Sequence, residues 1–216
     1  MFRGYVGRAL ASLVFLLTLL IGEAANAGFI TTFTSRGGFD AAFPGAQVEN
    51  WDSFAAGTTF ANGSTINGIT YNSSSGTALV TGVFIVSTNP NGLGNTTLGF
   101  FGAADTVTFT FAAPITIFGI DINTFATANG AYHAATDVGD VALSGYDPFP
   151  GLGTGQFVGF LSDSPVSSVT ISSVSDFAYT LDTLRFNAVP VPEPASLALM
   201  AVGLAGLGFM SRRRKV

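Results

Sequence analysis

Asp105-Thr106-Val107-Thr108-Phe109-Thr110-Phe111 is the stretch on which the fold turns. Val107, Phe109 and Phe111 share one parity, and Thr106, Thr108 and Thr110 share the other. Successive side chains of a strand point to opposite faces, so this alternation predicts a half-buried antiparallel strand with a hydroxyl-covered outer face. Val166–Val174 repeats the pattern through Val169 and Ile171. Ala78–Val86 and Ile115–Ile122 are apolar on both parities, which predicts central strands covered on both faces, with Gly82 and Gly119 as bulge sites.

Working outward, further strands are predicted over Gln47–Phe54, Ile66–Asn72, Thr96–Phe101, Asp140–Tyr146, Gln156–Ser162 and Phe177–Phe186. Asn62-Gly63, Asn67-Gly68, Asn91-Gly92, Asn129-Gly130 and Asp147-Pro148 punctuate them as turns. Gly37–Phe43 is read as one short helical turn. About ten short strands with frequent turns predict an all-β antiparallel β-sandwich of jelly-roll type.

The two ends of the 216-residue chain have a different composition. Arg3 and Arg8 precede the apolar run Ala9–Ile21, and a small polar segment ends Ala25-Asn26-Ala27. This is the pattern of a secretory signal peptide over residues 1–27, cleaved between Ala27 and Gly28. At the other end, residues 191–216 hold Pro192-Glu193-Pro194, an uncharged run Ala195–Met210, and the basic cluster Arg212, Arg213, Arg214 and Lys215. Pro194 suits the first turn of a helix, where a missing N–H costs nothing. A helix over 195–210 reaches roughly 24 Å, and bilayer thinning or snorkelling flanks let such a length span. The basic cluster stays cytoplasmic by the positive-inside rule, placing the body outside the cytoplasm.

Pro-Glu-Pro, a short apolar helix and an arginine cluster, in that order, resemble the PEP-CTERM sorting signal. The resemblance covers about the last 26 residues. It implies processing by an exosortase, a membrane-embedded cysteine protease/transpeptidase, in a Gram-negative bacterium that makes exopolysaccharide or biofilm matrix. The same tail is sometimes labelled an ice-binding-protein C-terminal domain, a label that describes the tail alone.

Between the ends lies one domain, residues 28–190, with eleven acidic residues and only two basic ones, Arg36 and Arg185. An acidic surface excludes nucleic acid as a partner. The absence of cysteine excludes a disulfide framework, thiolate metal sites and cysteine nucleophiles. His133, the single histidine, sits in a small-residue stretch that reads as an exposed loop, and there is no G-x-S-x-G elbow for a serine hydrolase. Gly151–Gly155 is glycine-rich but lacks the Gly-Lys-Ser/Thr end of a phosphate loop. The acids leave a glycosidase-type carboxylate pair as a lesser alternative.

Residues 115–123 (ITIFGIDIN), 156–162 (QFVGFLS) and 179–186 (YTLDTLRF) resemble lectin-like or galactose-binding-like sandwich bodies. In those folds an acid of the first strand and an aspartate of the last share a calcium ion. The resemblance thus implies Glu49 or Asp52, with Asp182, as ligands of a structural calcium. The residues themselves show that Phe177, Tyr179 and Leu181 share a parity that Leu184 and Phe186 abandon. The phase breaks at Asp182-Thr183, as a β-bulge requires. Solvated acids at strand ends are the simpler alternative. Trp51 and Tyr146 are candidate platforms for stacking sugar rings.

These readings converge on an exported, membrane-anchored and then exosortase-processed surface or matrix protein. The expected role is non-enzymatic adhesion or matrix interaction, with exopolysaccharide as a partner. A carbohydrate-binding module is the first alternative, followed by a secreted hydrolase. Ice binding is weaker still, because no Thr-x-Thr repeat extends beyond Thr106–Thr110.

Overall fold

The computed structural model describes residues 30–82, 87–95, 97–124, 126–139, 141–149, 155–175 and 177–187. The signal segment expected over 1–27 with its Ala27–Gly28 junction, the Pro192-Glu193-Pro194 motif, the helix expected over 195–210 and the basic cluster lie outside these residues. Among the described residues, no helix is long and apolar enough to cross a membrane.

The body is mostly β. Thirteen strands run in chain order: β1 (Ile30–Phe33), β2 (Gln47–Glu49), β3 (Thr59–Phe60), β4 (Ser64–Ile66), β5 (Ile69–Ser73), β6 (Ala78–Thr81), β7 (Gly92–Asn95), β8 (Thr106–Thr124), β9 (Tyr132–Thr136), β10 (Val141–Leu143), β11 (Gly145–Tyr146), β12 (Gln156–Ser173) and β13 (Tyr179–Phe186). Among the described residues one helix, α1 (Arg36–Ala42), follows β1. The strands hydrogen-bond in the order β10-β9-β12-β8-β13-β7-β6-β3, with β1 and β11 also on β12, β2 on β13, and β5 joining β4 to β8. Every pairing is antiparallel.

Two strands organise the rest. The predicted strands 105–111 and 115–122 are one 19-residue strand, β8, and the predicted 156–162 and 166–174 are one 18-residue strand, β12. A straight 19-residue strand would be about 60 Å long, twice the ~30 Å diameter of a small domain, so both must bend. β12 bends through register shifts between Leu161 and Ser168. In β8 the inward parity changes: Val107, Phe109, Phe111 and Ile115 enter the main core, and then Phe118, Ile120 and Ile122 do. Asn187 marks the switch, its Oδ1 accepting from the consecutive backbone N–H groups of Thr116 (3.1 Å) and Ile117 (2.9 Å). The sheet thereby curves around one aromatic core, where Phe118 lies 6.5 Å from Phe109 and stacks on Phe160 at 5.4 Å.

The second half of β8 is covered on both faces, as its double-parity apolar sequence predicts. Its outer face carries a small separate core of Phe39, Ile117 and Phe157, closed by Phe33 and Phe43. Helix α1 supplies Phe39. Ser35 caps its start, accepting from Gly38 N–H at 3.2 Å. Gly119 and Gly159, paired opposite each other, form the floor beneath the Phe39 ring. Gly119, read in sequence as a bulge site, stays in register with Gly159 on β12 and borders the register shift with β13, and its missing side chain admits the ring. A Cβ on Gly159 would lie 2.8 Å from both Phe39 and Phe157 ring carbons and 3.2 Å from the Phe118 carbonyl. Gly159→Ala is therefore expected to cost about 1–3 kcal/mol by overpacking, read as a lower denaturant midpoint of Trp51 fluorescence.

Three other expectations change. The strand predicted over 96–101 lies earlier, at β7, because Asn95 Oδ1 accepts from Thr97 and Leu98 N–H and closes a turn there. His133 sits half-buried on β9, opposite Leu143, and not in a loop. The strand expected over 47–54 ends at Glu49, whose Oε1 accepts from Trp51 N–H at 3.0 Å and holds Trp51 at φ +58°.

Candidate functional site

The phase break at Asp182-Thr183 is a real bulge. Asp182 pairs with Asp121 and Arg185 with Gly119, so β13 holds one residue more than β8 over that span, and Thr183 takes φ +44°. The bulge sets two fully buried carboxylates, Asp121 and Asp182, directly across from each other. A buried charge needs a partner. The body's two arginines both supply one to Asp121: Arg36 Nε lies 2.5 Å from Oδ1, and Arg185 Nη1 lies 3.3 Å from Oδ2.

Both arginines reach outward from Asp121 to further acids. Arg36 Nη1 is 3.5 Å from Asp147 Oδ2, and its backbone N–H donates to the same oxygen at 2.6 Å. The Arg36 guanidinium also lies over the Phe149 ring at 4.8 Å. Arg185 Nε is 2.7 Å from Asp40 Oδ1, and its Nη1 donates to the Thr183 carbonyl at 2.8 Å. The sequence strips the body of every other cation, and the fold gathers the remaining two on one buried aspartate.

Among the described residues Asp182 has no cation of its own. It accepts from Thr88 N–H (2.7 Å) and Thr183 N–H (2.6 Å). Ser87 Oγ bridges the two acids, 2.5 Å from Asp121 Oδ2 and 3.1 Å from Asp182 Oδ2. Burial pushes the Asp182 carboxyl up to about 7, and the Asp121 charge adds to the rise; the N–H donors of Thr88 and Thr183 partly offset it. Asp182 thus pins residues 87–88 to the bulge.

Beside this cluster, between α1, β2 and the bulge, opens a cleft of about 260 Å³. Phe43, Pro44, Ala46 and Val48 form its apolar wall, and Asp40, Thr183 and Arg185 its polar side.

The residues singled out in sequence are dispersed. Glu49 is buried, its Oε2 accepting from Asn67 Nδ2 at 2.7 Å, and Asp52 Oδ1 accepts from Asn91 N–H at 2.9 Å. Neither shares a donor with Asp182, and among the described residues no group of three or more His, Cys, Asp or Glu side chains could hold a metal ion. Glu49, Asp52 and Asp182 do not form such a group of three. The reason is local: Glu49 and Asp52 each tie down a loop backbone on either side of Trp51.

Trp51, a candidate sugar platform, is fully buried, stacked on Phe109, and donates its indole N–H to the Tyr71 hydroxyl at 3.1 Å. Burial drives the Tyr71 phenol above its ordinary range. Its ring cannot meet a sugar there. Tyr146 is 41 % exposed at the end of β11.

Asp121, Arg36 and Arg185 were missed as a site. A signal existed: an aspartate inside a strand apolar on both faces must be buried, and only two cations were available to neutralise it.

Residues 190–215 match the family described as the PEP-CTERM protein-sorting motif, so the chain carries that motif at its C-terminal end. No curated protein matches the chain. Among solved structures, the catalytic domain of a GH87 alpha-1,3-glucanase matches with TM-score 0.36 and 15% identity over 64% of this chain and 30% of that one. An exo-beta-1,3-galactanase from Phanerochaete chrysosporium matches with TM-score 0.32 and 18% identity over 62% of this chain and 29% of that one. The chain spans under a third of either, and these likenesses bring neither fold nor activity to it.

Proposed function

We propose that this is an exported surface protein, anchored by its C-terminal helix, processed by an exosortase and then displayed at the cell surface or in the extracellular matrix. The observation that carries the reading is the PEP-CTERM motif over residues 190–215. The tail's order of Pro192-Glu193-Pro194, apolar run and Arg212–Lys215 cluster fits a helix whose basic end stays in the cytoplasm. The host is a Gram-negative bacterium that produces exopolysaccharide. The body is a jelly-roll-like β-sandwich, and its role is adhesion or matrix interaction without catalysis.

What supports the non-catalytic reading is the fate of the acids. Asp121 and Asp182 are neighbours, as a glycosidase pair would be, but both are fully buried and committed to internal donors. A carboxylate walled off in this way holds the fold together. The second reading, a carbohydrate-binding module, is favoured by the open cleft beside Arg185.

Fractionation of the producing bacterium tests the sorting. The wild-type chain is expected in the surface or extracellular fraction with its C-terminal tail removed. Replacing Pro192, Glu193 and Pro194 by alanine, or deleting the exosortase, is expected to leave the unprocessed chain in the inner membrane. Equal processing in all three strains would overturn the proposal.

A further inference from the structure

The cleft beside the bulge combines features that rarely meet on this body. Its polar side is an ion pair in which Arg185 Nε meets Asp40 Oδ1 at 2.7 Å. Arg185 Nη1 is spent on Asp121 and the Thr183 carbonyl. The cleft is thus lined by a guanidinium beside a half-exposed carboxylate. The opposite wall is apolar, with Val48 57 % exposed at the mouth.

A donor and an acceptor side by side, facing an apolar wall, complement a ring with adjacent hydroxyls on one edge and C–H groups on its face. The 260 Å³ volume sits just under the ~300 Å³ lower end of small-molecule pockets, room for about one pyranose ring. Charge narrows the class further. Arg185 is already neutralised by Asp40 and Asp121, and the body has eleven acids against two arginines, so an acidic sugar is repelled.

We infer that the cleft between α1, β2 and the β13 bulge binds one neutral pyranose residue of a polysaccharide, with Asp40 and Arg185 holding adjacent hydroxyls and Phe43, Pro44 and Val48 against the ring face. The inference rests on the reading of the body as a matrix-contacting module and names its site. Arg185 is fixed from below by Asp121 and by its position over the Phe157 ring at 5.7 Å, so the donor is held in place before any ligand arrives. Asp40 is the adjustable partner.

Saturation-transfer NMR on the full chain in detergent tests this, with methyl α-glucopyranoside, methyl β-galactopyranoside and methyl α-mannopyranoside as probes and glucuronate as the charged control. At least one neutral glycoside should receive saturation. Asp40→Ala should weaken that binding about tenfold, the loss of one charge-assisted hydrogen bond. Val48→Arg, at an exposed position, should block the mouth without touching the core, and it serves if Asp40→Ala perturbs folding. No transfer to any of the three glycosides, or transfer undiminished in both variants, overturns the site. Equal transfer to glucuronate overturns the neutral class. Neither result bears on sorting, which fractionation of the bacterium reads independently.

Discussion

Asp121→Asn is expected to destabilise the body by about 3–5 kcal/mol, the cost of leaving buried cations without their counter-charge. Asp121 is fully buried and meets both Arg36 and Arg185, whose side chains are 18% and 9% exposed. The asparagine keeps the shape but offers an amide where two guanidinium groups converge. With total stabilities of about 5–15 kcal/mol, such a loss is a large fraction of the whole. Asp40→Asn is the control. Asp40 is half-exposed and meets Arg185 at the surface, so its removal should cost no more than about 1 kcal/mol. Trp51, the only tryptophan and fully buried, reports both by its fluorescence during guanidinium unfolding. Equal midpoints for Asp121→Asn and wild type would show that the arginines are satisfied by Asp40 and Asp147 alone.

The second large effect is a dependence of stability on pH. The Asp182 carboxyl lies at about 7 in the folded protein against an ordinary 3.8, raised chiefly by burial and then by the facing Asp121. Between pH ~4 and ~7 the folded protein keeps a proton that the unfolded chain has released. Unfolding free energy therefore falls as pH rises through that window and levels off above it. The contribution is full below pH ~4 and amounts to at most about 4 kcal/mol. The groups facing Asp182 are Asp121 on β8, Ser87 and Thr88 on the pinned segment, and Thr183 beside it. Asp182→Asn should flatten the curve and leave the variant more stable than wild type at pH 8. In Asp121→Asn the midpoint of the transition should move down, because one source of the rise is gone. A wild-type stability that climbs steadily from pH 4 to 7 would contradict the assignment. Above pH 7 the ionised pair of carboxylates repels across the strands, and the Ser87–Thr88 segment is the first element expected to loosen.

Much of the fold was legible because its signals are local. Val107, Phe109 and Phe111 alternate with threonines, and that alone specifies which face of the first half of β8 is buried. The double-parity run through Ile117 and Ile122 announced a strand covered on both sides, and helix α1 is what covers it. The phase break at Asp182-Thr183 located a bulge to the residue. What escaped were features set by distant partners. Two predicted strands fused into β8, and two into β12, because a bend with a register shift interrupts a pattern without ending the pairing. Trp51 was a candidate sugar platform on a strand expected over 47–54, but the strand ends at Glu49 and a loop carries Trp51. The loop folds the ring inward, where the Tyr71 hydroxyl takes up its indole N–H.

By itself the sequence determined what depends on composition and short-range periodicity: a β-rich body, an acidic composition poor in cations and a C-terminal sorting motif. A sorting motif is read as a linear segment, so it needs no tertiary partner to be recognised. The tertiary structure alone decided where the acids and arginines meet. Arg36, Asp121 and Arg185 are separated by 85 and 64 residues, and only the pairing of β13 with β8, with α1 packed against β8 and β12, brings the three together. Coulombic and hydrogen-bond energies depend on distance through space, to which spacing along the chain is blind. The same pairing sets Asp182 against Asp121 and opens the cleft beside Arg185, so the chemistry of the body lies in contacts that no stretch of its sequence contains.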